Sequence, residues 1–307
     1  MKPVHWADLG ESTFVFGLRF LVAVYRLLGR VPFLLVLYPV VFYYRVRRGV
    51  ARRASMEYLG RLQATFGSFG GAPTWRHGLR HFLSFADTLL DKTLAMSGRY
   101  RFEHVRFDGV DAVLELRQRG QGAVFVTAHM GCLEMCQAAI NRTRRIRLNV
   151  LVHTAHAEQF NRLLGRLDPD GAVRLIQVTE ITPATAILLS ECVARGEFVA
   201  IAGDRVPVGG GGRTVRVPFL GAEADWPVGP YVLAALLKCP LFLMACLREG
   251  EGHTIHFDRL ADEVLLPRRS RDEVFAALAG QYAQRIETLL ARSPYEWFNF
   301  FPFWVQR

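Results

Sequence analysis

The chain has 307 residues, of which 51% are hydrophobic and 21% are charged. This length can bury a sizeable core in one or two domains, and the composition excludes an intrinsically disordered chain. The net charge of +10 is carried almost entirely by arginine, because lysine occurs only at positions 2, 92 and 238. A basic chain favours anionic partners, but its arginine-rich segments lack the interleaved aromatic residues of a nucleic-acid binder.

The N-terminal region contains two apolar stretches, at residues 14–28 and 31–44. Asp8 and Glu11 precede the first stretch, which argues against a signal peptide. The second stretch forms a helix of about 21 Å, too short to cross a hydrocarbon core of about 30 Å upright. An arginine cluster follows, made of Arg45, Arg47, Arg48, Arg52 and Arg53.

Apolar helices followed by arginines are typical of an interfacial or re-entrant anchor on the cytoplasmic face of a membrane. The alternative is a pair of core helices in a soluble protein. We predict a hydrophobic helical anchor region at residues 1–66 and a second domain at 67–307.

From residue 50 onward the pattern predicts helices first and then alternating strands and helices. The predicted helices are 50–66, 75–96, 110–118, 132–143, 156–166, 183–195, 228–238 and 271–291. The predicted strands are 101–107, 122–128, 147–152, 173–178, 197–202, 214–219, 240–247 and 253–259. This alternation predicts an α/β fold, with a mainly parallel sheet flanked by helices.

A histidine and a glutamate follow the most apolar predicted strand, in the order His129-Met130-Gly131-Cys132-Leu133-Glu134. His129 lies just past the carboxyl end of the strand, where open α/β sheets bind ligands, and Glu134 lies in the first turn of the next helix. A carboxylate against the imidazole fixes its tautomer and makes it a general base. The alternative is a structural histidine beside a favourable first-turn acid.

A second polar group, Gly203-Asp204-Arg205, follows another predicted strand and belongs at the same sheet edge. Arg205 could hold an anion or an oxyanion, with Asp204 positioning Arg205 or the acceptor. Backbone N–H groups near Gly131 and Cys132 are further candidates for the oxyanion. A structural Asp–Arg pair at a turn is the alternative. The glycines at 209–212 match no phosphate-binding fingerprint and favour a mobile lid.

Metal binding and serine hydrolysis are not expected from the remaining residues. The five cysteines lie in apolar surroundings without a metal-ligand spacing and indicate reduced, buried thiols. The histidines at 153 and 156 have no suitable third ligand nearby, and those at 253 and 256 are three apart on a predicted strand and therefore lie on opposite faces. No Gly-x-Ser-x-Gly elbow occurs.

Together these motifs resemble the late acyltransferases of bacterial lipid A biosynthesis, within the lysophospholipid acyltransferase superfamily. The resemblance includes the apolar N-terminus, the His129-x-x-x-x-Glu134 motif, Gly203-Asp204-Arg205, a Pro218-Phe219-Leu220-Gly221 turn and an aromatic tail. The family usually carries a basic or histidine-bearing motif near that tail, whereas this chain has Trp297-Phe298-Asn299-Phe300.

The resemblance implies an O-acyltransferase at the cytoplasmic face of the bacterial inner membrane, with His129 as the base and Glu134 supporting it. It implies an acyl carrier protein or coenzyme A thioester as co-substrate, a lipid or glycolipid hydroxyl as acceptor, and no other cofactor or metal. Two alternatives stay open, namely a non-catalytic membrane or carrier-protein adaptor on the same fold and a nucleotide-sugar glycosyltransferase.

Overall fold

The computed structural model describes residues 24, 25, 27, 29–96, 100, 102–144, 146–152, 173–177, 182–206 and 212–305. In chain order the elements are α1 (Arg30–Arg47), α2 (Gly49–Phe66), α3 (Trp75–Met96), β1 (Val105–Asp108), α4 (Val110–Gln118), β2 (Val124–Thr127), α5 (Leu133–Arg144), β3 (Leu148–Val152), β4 (Val173–Gln177), α6 (Pro183–Ala194), β5 (Phe198–Ala202), β6 (Thr214–Phe219), β7 (Ala222–Pro227), α7 (Gly229–Leu237), β8 (Leu241–Glu249), β9 (Gly252–Ala261) and α8 (Arg271–Arg292). Short 3-10 turns lie at Phe102–His104 and Phe303–Val305.

Seven strands form one mostly parallel sheet in the order β1-β9-β8-β2-β5-β3-β4. Strands β8, β2, β5, β3 and β4 run parallel, while β9 is antiparallel to β8 and parallel to β1. β2 lies between β5 and β8, so the strands that follow β2 in the chain are added on both of its sides. Such a switch point leaves a crevice at the carboxyl ends of the strands.

Both faces of the sheet are buried, as β2 demonstrates. Val124 and Val126 point into one apolar cluster, which includes residues of α2, α6, α7 and α8. Phe125 points into a second cluster with α4 and α5, where its ring stacks on Phe198 at 5.0 Å between centroids. Because side chains alternate along a strand, a strand covered on both faces has the continuous apolar run seen in the sequence.

The predicted α/β fold with a mostly parallel, helix-flanked sheet is confirmed, but one hairpin strand was missed. β7 pairs antiparallel with β6, although its sequence, Ala-Glu-Ala-Asp-Trp-Pro, has little β-propensity. Pairing with β6 and burial of Trp226 compensate for that weak local preference. The predicted helix 156–166, most of the glycine loop, and residues 14–23 lie outside the described residues.

The N-terminal helices pack on the rest of the protein through two separate surfaces. α1 buries Phe33 and Leu37 against Ala86 and Leu90 of α3. α2 contributes buried residues to the large cluster that includes α8 and the sheet. Among the described residues, no helix combines the length and apolar character needed to span a bilayer. The division into domains at residue 66 stays a prediction.

A buried histidine ties α2 and α3 to the C-terminal segment, which we define as residues 294–301. The fully buried His81 lies 2.8 Å from the Trp297 carbonyl through Nε2 and 2.9 Å from Ser55 Oγ through Nδ1. A carbonyl only accepts, so Nε2–H donates to it and Nδ1 accepts from the serine hydroxyl. Burial lowers the pKa of His81 to about 4, partly offset by the carbonyl bond.

Because His81 is buried in its neutral form, we expect the protein to lose stability in mild acid. An unfolded histidine takes up a proton near pH 6.5, whereas folded His81 stays neutral down to about pH 4. The free energy of unfolding therefore decreases as the pH is lowered between these values, by about 2 kcal/mol from pH 7.5 to pH 5. Urea unfolding at both pH values checks this, with His81→Gln as the variant that lacks the titration. Equal pH dependence of the two proteins would contradict the assignment.

Candidate active site

The loop after β2 turns sharply at Gly131, which places His129 at the edge of the sheet. Gly131 has a φ of +55°, and a Cβ there would lie 1.7 Å from the Cys246 carbonyl oxygen of β8. Only glycine combines this left-handed conformation with so close an approach of two backbones. The loop therefore runs directly over the end of β8, and α5 begins at Leu133.

The C-terminal segment forms the opposite wall of this loop. Phe298 N–H donates to the His129 carbonyl at 2.8 Å, and Gly131 N–H donates to the Glu296 carbonyl at 2.7 Å. Met130 and Trp297 form an antiparallel bridge between these two bonds. The tail is thereby fixed beside His129, although it lies more than 160 residues further along the chain.

His129 is paired with Asp204, which follows the neighbouring strand β5. The His129 ring lies with Nδ1 2.7 Å from Asp204 Oδ1, and its backbone N–H donates to Oδ2 at 2.8 Å. The Asp204 side chain is fully buried, whereas 36% of the His129 side-chain surface is accessible. The imidazole therefore contacts a buried carboxylate through Nδ1 while part of its own surface stays accessible.

Asp204 is held as a carboxylate by its surroundings. Its Oδ2 also accepts from Trp297 Nε1 at 3.2 Å and from Asn299 Nδ2 at 2.8 Å. Burial alone would raise the pKa of this carboxyl. The imidazole, the hydrogen bonds from His129 and the charge of Arg205 outweigh burial and hold the pKa well below its usual range.

An ionised carboxylate fixes the tautomer of neutral His129. Asp204 only accepts hydrogen bonds in this state, so Nδ1 must carry the proton. Nε2 then has a free lone pair and can remove a proton from a hydroxyl, while the carboxylate stabilises the imidazolium that results. The geometry is that of a general-base pair.

The structure pairs Glu134 with Lys92 rather than with His129, and the supporting role of Glu134 stays a prediction. Its carboxylate accepts from the Lys92 ammonium of α3. Burial opposes both charges, but each ion favours the charged form of the other, so the pKa of Glu134 is lowered and that of Lys92 is raised. The charge of His129 contributes further to the lowered pKa of Glu134.

The backbone N–H groups of Gly131 and Cys132, which we expect as oxyanion donors, have carbonyl partners in the structure. Both N–H groups already donate to carbonyls, that of Gly131 to Glu296 at 2.7 Å and that of Cys132 to Cys246 at 2.9 Å. An N–H group engaged in this way is not directed at a reacting carbonyl. The Cys132 thiol is buried, and burial raises its pKa well above the usual value, so it stays protonated.

Arg205 lies beside the pair rather than in a simple Asp–Arg turn. Its Nε–H donates to Asn299 Oδ1 at 3.0 Å, and its guanidinium carbon lies 5.6 Å from the centre of the Phe301 ring. Burial lowers the pKa of Arg205, and the charge of Asp204 opposes this. The site thus has an arginine on the same sheet edge as His129, as expected.

The family model for bacterial lipid A biosynthesis acyltransferases matches residues 87–306, more than two thirds of the chain. The chain belongs to this family. It is therefore an acyltransferase that acts on lipids. The match includes His129, Glu134, Asp204, Arg205 and the C-terminal segment. A comparison with curated proteins finds no match.

Sequence reasoning missed three residues of the site, Lys92, Trp297 and Asn299. Lys92 had a weak signal, because it is one of only three lysines in an arginine-rich chain. Trp297 and Asn299 lie in an aromatic tail whose hydrophobic pattern predicts neither a helix nor a strand. Only the folded chain brings them to Asp204. Three of the predicted site residues, His129, Asp204 and Arg205, do lie together at one edge of the sheet.

The close approach at Gly131 predicts a severe effect of a single methyl group. Gly131→Ala is expected to lower the free energy of unfolding by more than about 3 kcal/mol, because strain and a backbone clash combine. Gly250→Ala is the matched control, since it has a φ of +64° but open space around a Cβ. Its expected cost is about 1 kcal/mol. Urea unfolding measures both, and equal losses would contradict the clash.

Proposed function

We propose that the protein transfers a fatty acyl group from a thioester of acyl carrier protein or coenzyme A to a hydroxyl of a lipid or glycolipid. The observation that carries this proposal is the His129–Asp204 pair, in which Nδ1 contacts a buried carboxylate while 36% of the His129 side chain stays accessible, at the sheet edge where α/β folds bind ligands. Membership of the family supplies the reaction class. We place the protein at the cytoplasmic face of the bacterial inner membrane, where such donors and acceptors meet.

His129 acts as the general base in this reaction. Nε2 takes the proton of the acceptor hydroxyl, and the oxygen attacks the thioester carbonyl to form a tetrahedral oxyanion. Collapse of this intermediate forms the ester and breaks the carbon–sulfur bond. The leaving thiolate then takes the proton back from His129. Thioesters are already activated, so we propose that this route needs no cofactor or metal.

Two cationic side chains of the site suit the negative charges of the substrates. Arg205 lies beside Asp204, and Lys92 lies beside Glu134 with a third of its side-chain surface accessible. We assign the oxyanion to Arg205, because its planar guanidinium suits such recognition. Glu134 holds Lys92 in place, and we assign this pair to substrate positioning rather than to the base.

The exposed face of α1 supports membrane association. Half of the large apolar side chains that are exposed in the described residues lie between residues 27 and 46. Leu35, Tyr38, Phe42 and Val46 follow the spacing of one helix face and are each at least 41% exposed. Exposed arginines follow at positions 47, 48, 52 and 53. An apolar stripe with adjoining arginines suits the interface of an anionic bilayer.

The first test of the proposed reaction is thiol release from long-chain acyl carrier protein or acyl-coenzyme A, with a membrane lipid extract as acceptor. The expected rates fall by about 10³-fold for His129→Ala and for Asp204→Asn, which lose the base or its tautomer. Glu134→Gln is expected to cost only about tenfold, because Nδ1 of His129 keeps its carboxylate partner. EDTA is expected to leave the rate unchanged.

The matched control is His104→Ala, an exposed histidine before the edge strand β1. Release that survives His129→Ala would sink the proposed mechanism, and a requirement for a divalent metal would favour the glycosyltransferase alternative. Wild-type protein that releases no thiol from either donor would favour the adaptor. A larger loss for Glu134→Gln than for Asp204→Asn would return the supporting role to Glu134.

The membrane role of α1 predicts that the full chain floats with phosphatidylglycerol-containing vesicles. Leu35→Ser/Phe42→Ser is expected to weaken vesicle binding by about tenfold or more, because two inserted apolar side chains are lost. High salt is expected to weaken binding of the wild type, since arginine attraction to anionic lipid is screened. The control is Leu265→Ser/Ile187→Ser, which changes exposed apolar residues elsewhere. Equal flotation of the two double variants would argue against α1 as the docking face.

A further inference from the structure

Asn299 connects the two charged residues that follow β5. It is almost completely buried, with 2% of its surface exposed. Its Nδ2 donates to Asp204 Oδ2 at 2.8 Å, and its Oδ1 accepts from Arg205 Nε at 3.0 Å. One amide therefore contacts a buried anion and a neighbouring cation at the same time.

Only one orientation of this amide is chemically acceptable. Rotating it by half a turn would put Oδ1 against the Asp204 carboxylate and Nδ2 against the Arg205 N–H. Both contacts would then join like groups, with a buried acceptor facing an acceptor and a buried donor facing a donor. The charges of Asp204 and Arg205 therefore lock Asn299, and Asn299 in turn fixes where both side chains point.

We propose that Asn299 is a positioning residue for the His129–Asp204 pair, which supplies the general base of the proposed reaction. By donating to Oδ2 it keeps Oδ1 of Asp204 aimed at His129 Nδ1, and by accepting from Arg205 it keeps that guanidinium on the same edge of the sheet. A neutral amide performs both tasks without adding a charge to the pair. This inference deepens the proposed function, and its activity readout rests on that function.

Several titratable groups surround this position. Asp204, Arg205 and His129 come from the ends of β5 and β2, and Lys92 and Glu134 lie beyond His129. Tyr282 of α8 faces Asp204 and donates to the Thr127 carbonyl at 2.7 Å. Burial raises the pKa of Tyr282 well above its usual value, so it stays protonated across the working range.

Two substitutions separate positioning from packing. Asn299→Leu keeps the volume but removes both hydrogen bonds, so kcat is expected to fall by about 10- to 100-fold at every pH with little change in KM. Asn299→Asp places a second carboxyl against Asp204, and two such groups share a proton. In its neutral form this acid donates to Asp204 and accepts from Arg205, as the amide does.

The Asn299→Asp variant is therefore expected to stay within about threefold of the wild-type rate at low pH. Its rate falls as pH rises, because loss of the shared proton adds a second charge beside Asp204. This decrease of the rate at high pH, which we call the alkaline limb of the pH–rate profile, would not arise if Asn299 had a merely structural role. Asn299→Leu is expected to lack the limb.

The ring protons of His129 give a second readout that does not depend on finding a substrate. NMR of the full-length, histidine-labelled protein in detergent detects the Nδ1–H proton, assigned by its absence in His129→Gln. We expect this signal in the wild type and in Asn299→Asp at low pH. Asn299→Leu is expected to give a mixture of Nδ1–H and Nε2–H tautomers.

Asn149 provides the matched control. It is equally buried, and its Nδ2 donates to the Glu197 carboxylate at 2.9 Å, on β3 away from His129. Asn149→Leu and Asn149→Asp are expected to leave the His129 tautomer and the pH profile unchanged. An unchanged tautomer in Asn299→Leu would overturn the inference, as would equal kinetic losses in the two leucine variants. If the wild type transfers no acyl group, the NMR result alone decides.

Discussion

The buried carboxylate of Asp204 is the constraint on which the site depends. A fully buried anion is stable only where hydrogen-bond donors and cations replace water. Here the donors come from two distant parts of the chain, the loop after β2 and the C-terminal segment. Formation of this charge therefore requires the tail to fold back over the sheet. The aromatic tail and the proposed base thus depend on the same contacts, because Trp297 and Asn299 of the tail donate to the carboxylate that holds His129.

Backbone geometry makes this convergence possible. β2 and β5 are neighbours whose last paired residues are Thr127 and Ala202, so His129 and Asp204, each two residues further on, meet at one edge of the sheet. Gly203 lets the chain after β5 approach closely, since a Cβ there would lie 2.5 Å from Val126 Cγ2. Gly131 does the same between the His129 loop and β8. These two glycines let the backbone segments approach closely enough for the side chains of His129 and Asp204 to meet.

The sequence predicts the fold well, because its evidence is local. Apolar runs and helix periods define β2, α3 and α8 to within a few residues, and the alternation of elements gives a parallel sheet. The contact of His129 with Asp204 was not predicted, because Glu134 is near in sequence whereas Asp204 is 75 positions away. The sequence pattern also does not predict the ion pair between Lys92 of α3 and Glu134. Strand order and the path of the tail determine both pairings, and these properties arise only in the folded chain.

The fixed charges around His129 suit a reaction that moves one proton within the site. Asp204 and Glu134 carry negative charge, and Arg205 and Lys92 carry positive charge, so these four groups balance while the imidazole is neutral. In the proposed reaction the imidazole takes the proton of a hydroxyl, so a positive charge forms beside Asp204 as a negative oxyanion forms in the substrate. The His129–Asp204 pair then changes from a net charge of −1 to zero, and the new imidazolium lies against a carboxylate already in place. Preorganised charges of this kind need little rearrangement during the reaction. Two separate carboxylates serve this purpose better than one, because Lys92 keeps Glu134 as its counter-ion while Asp204 stays paired with His129.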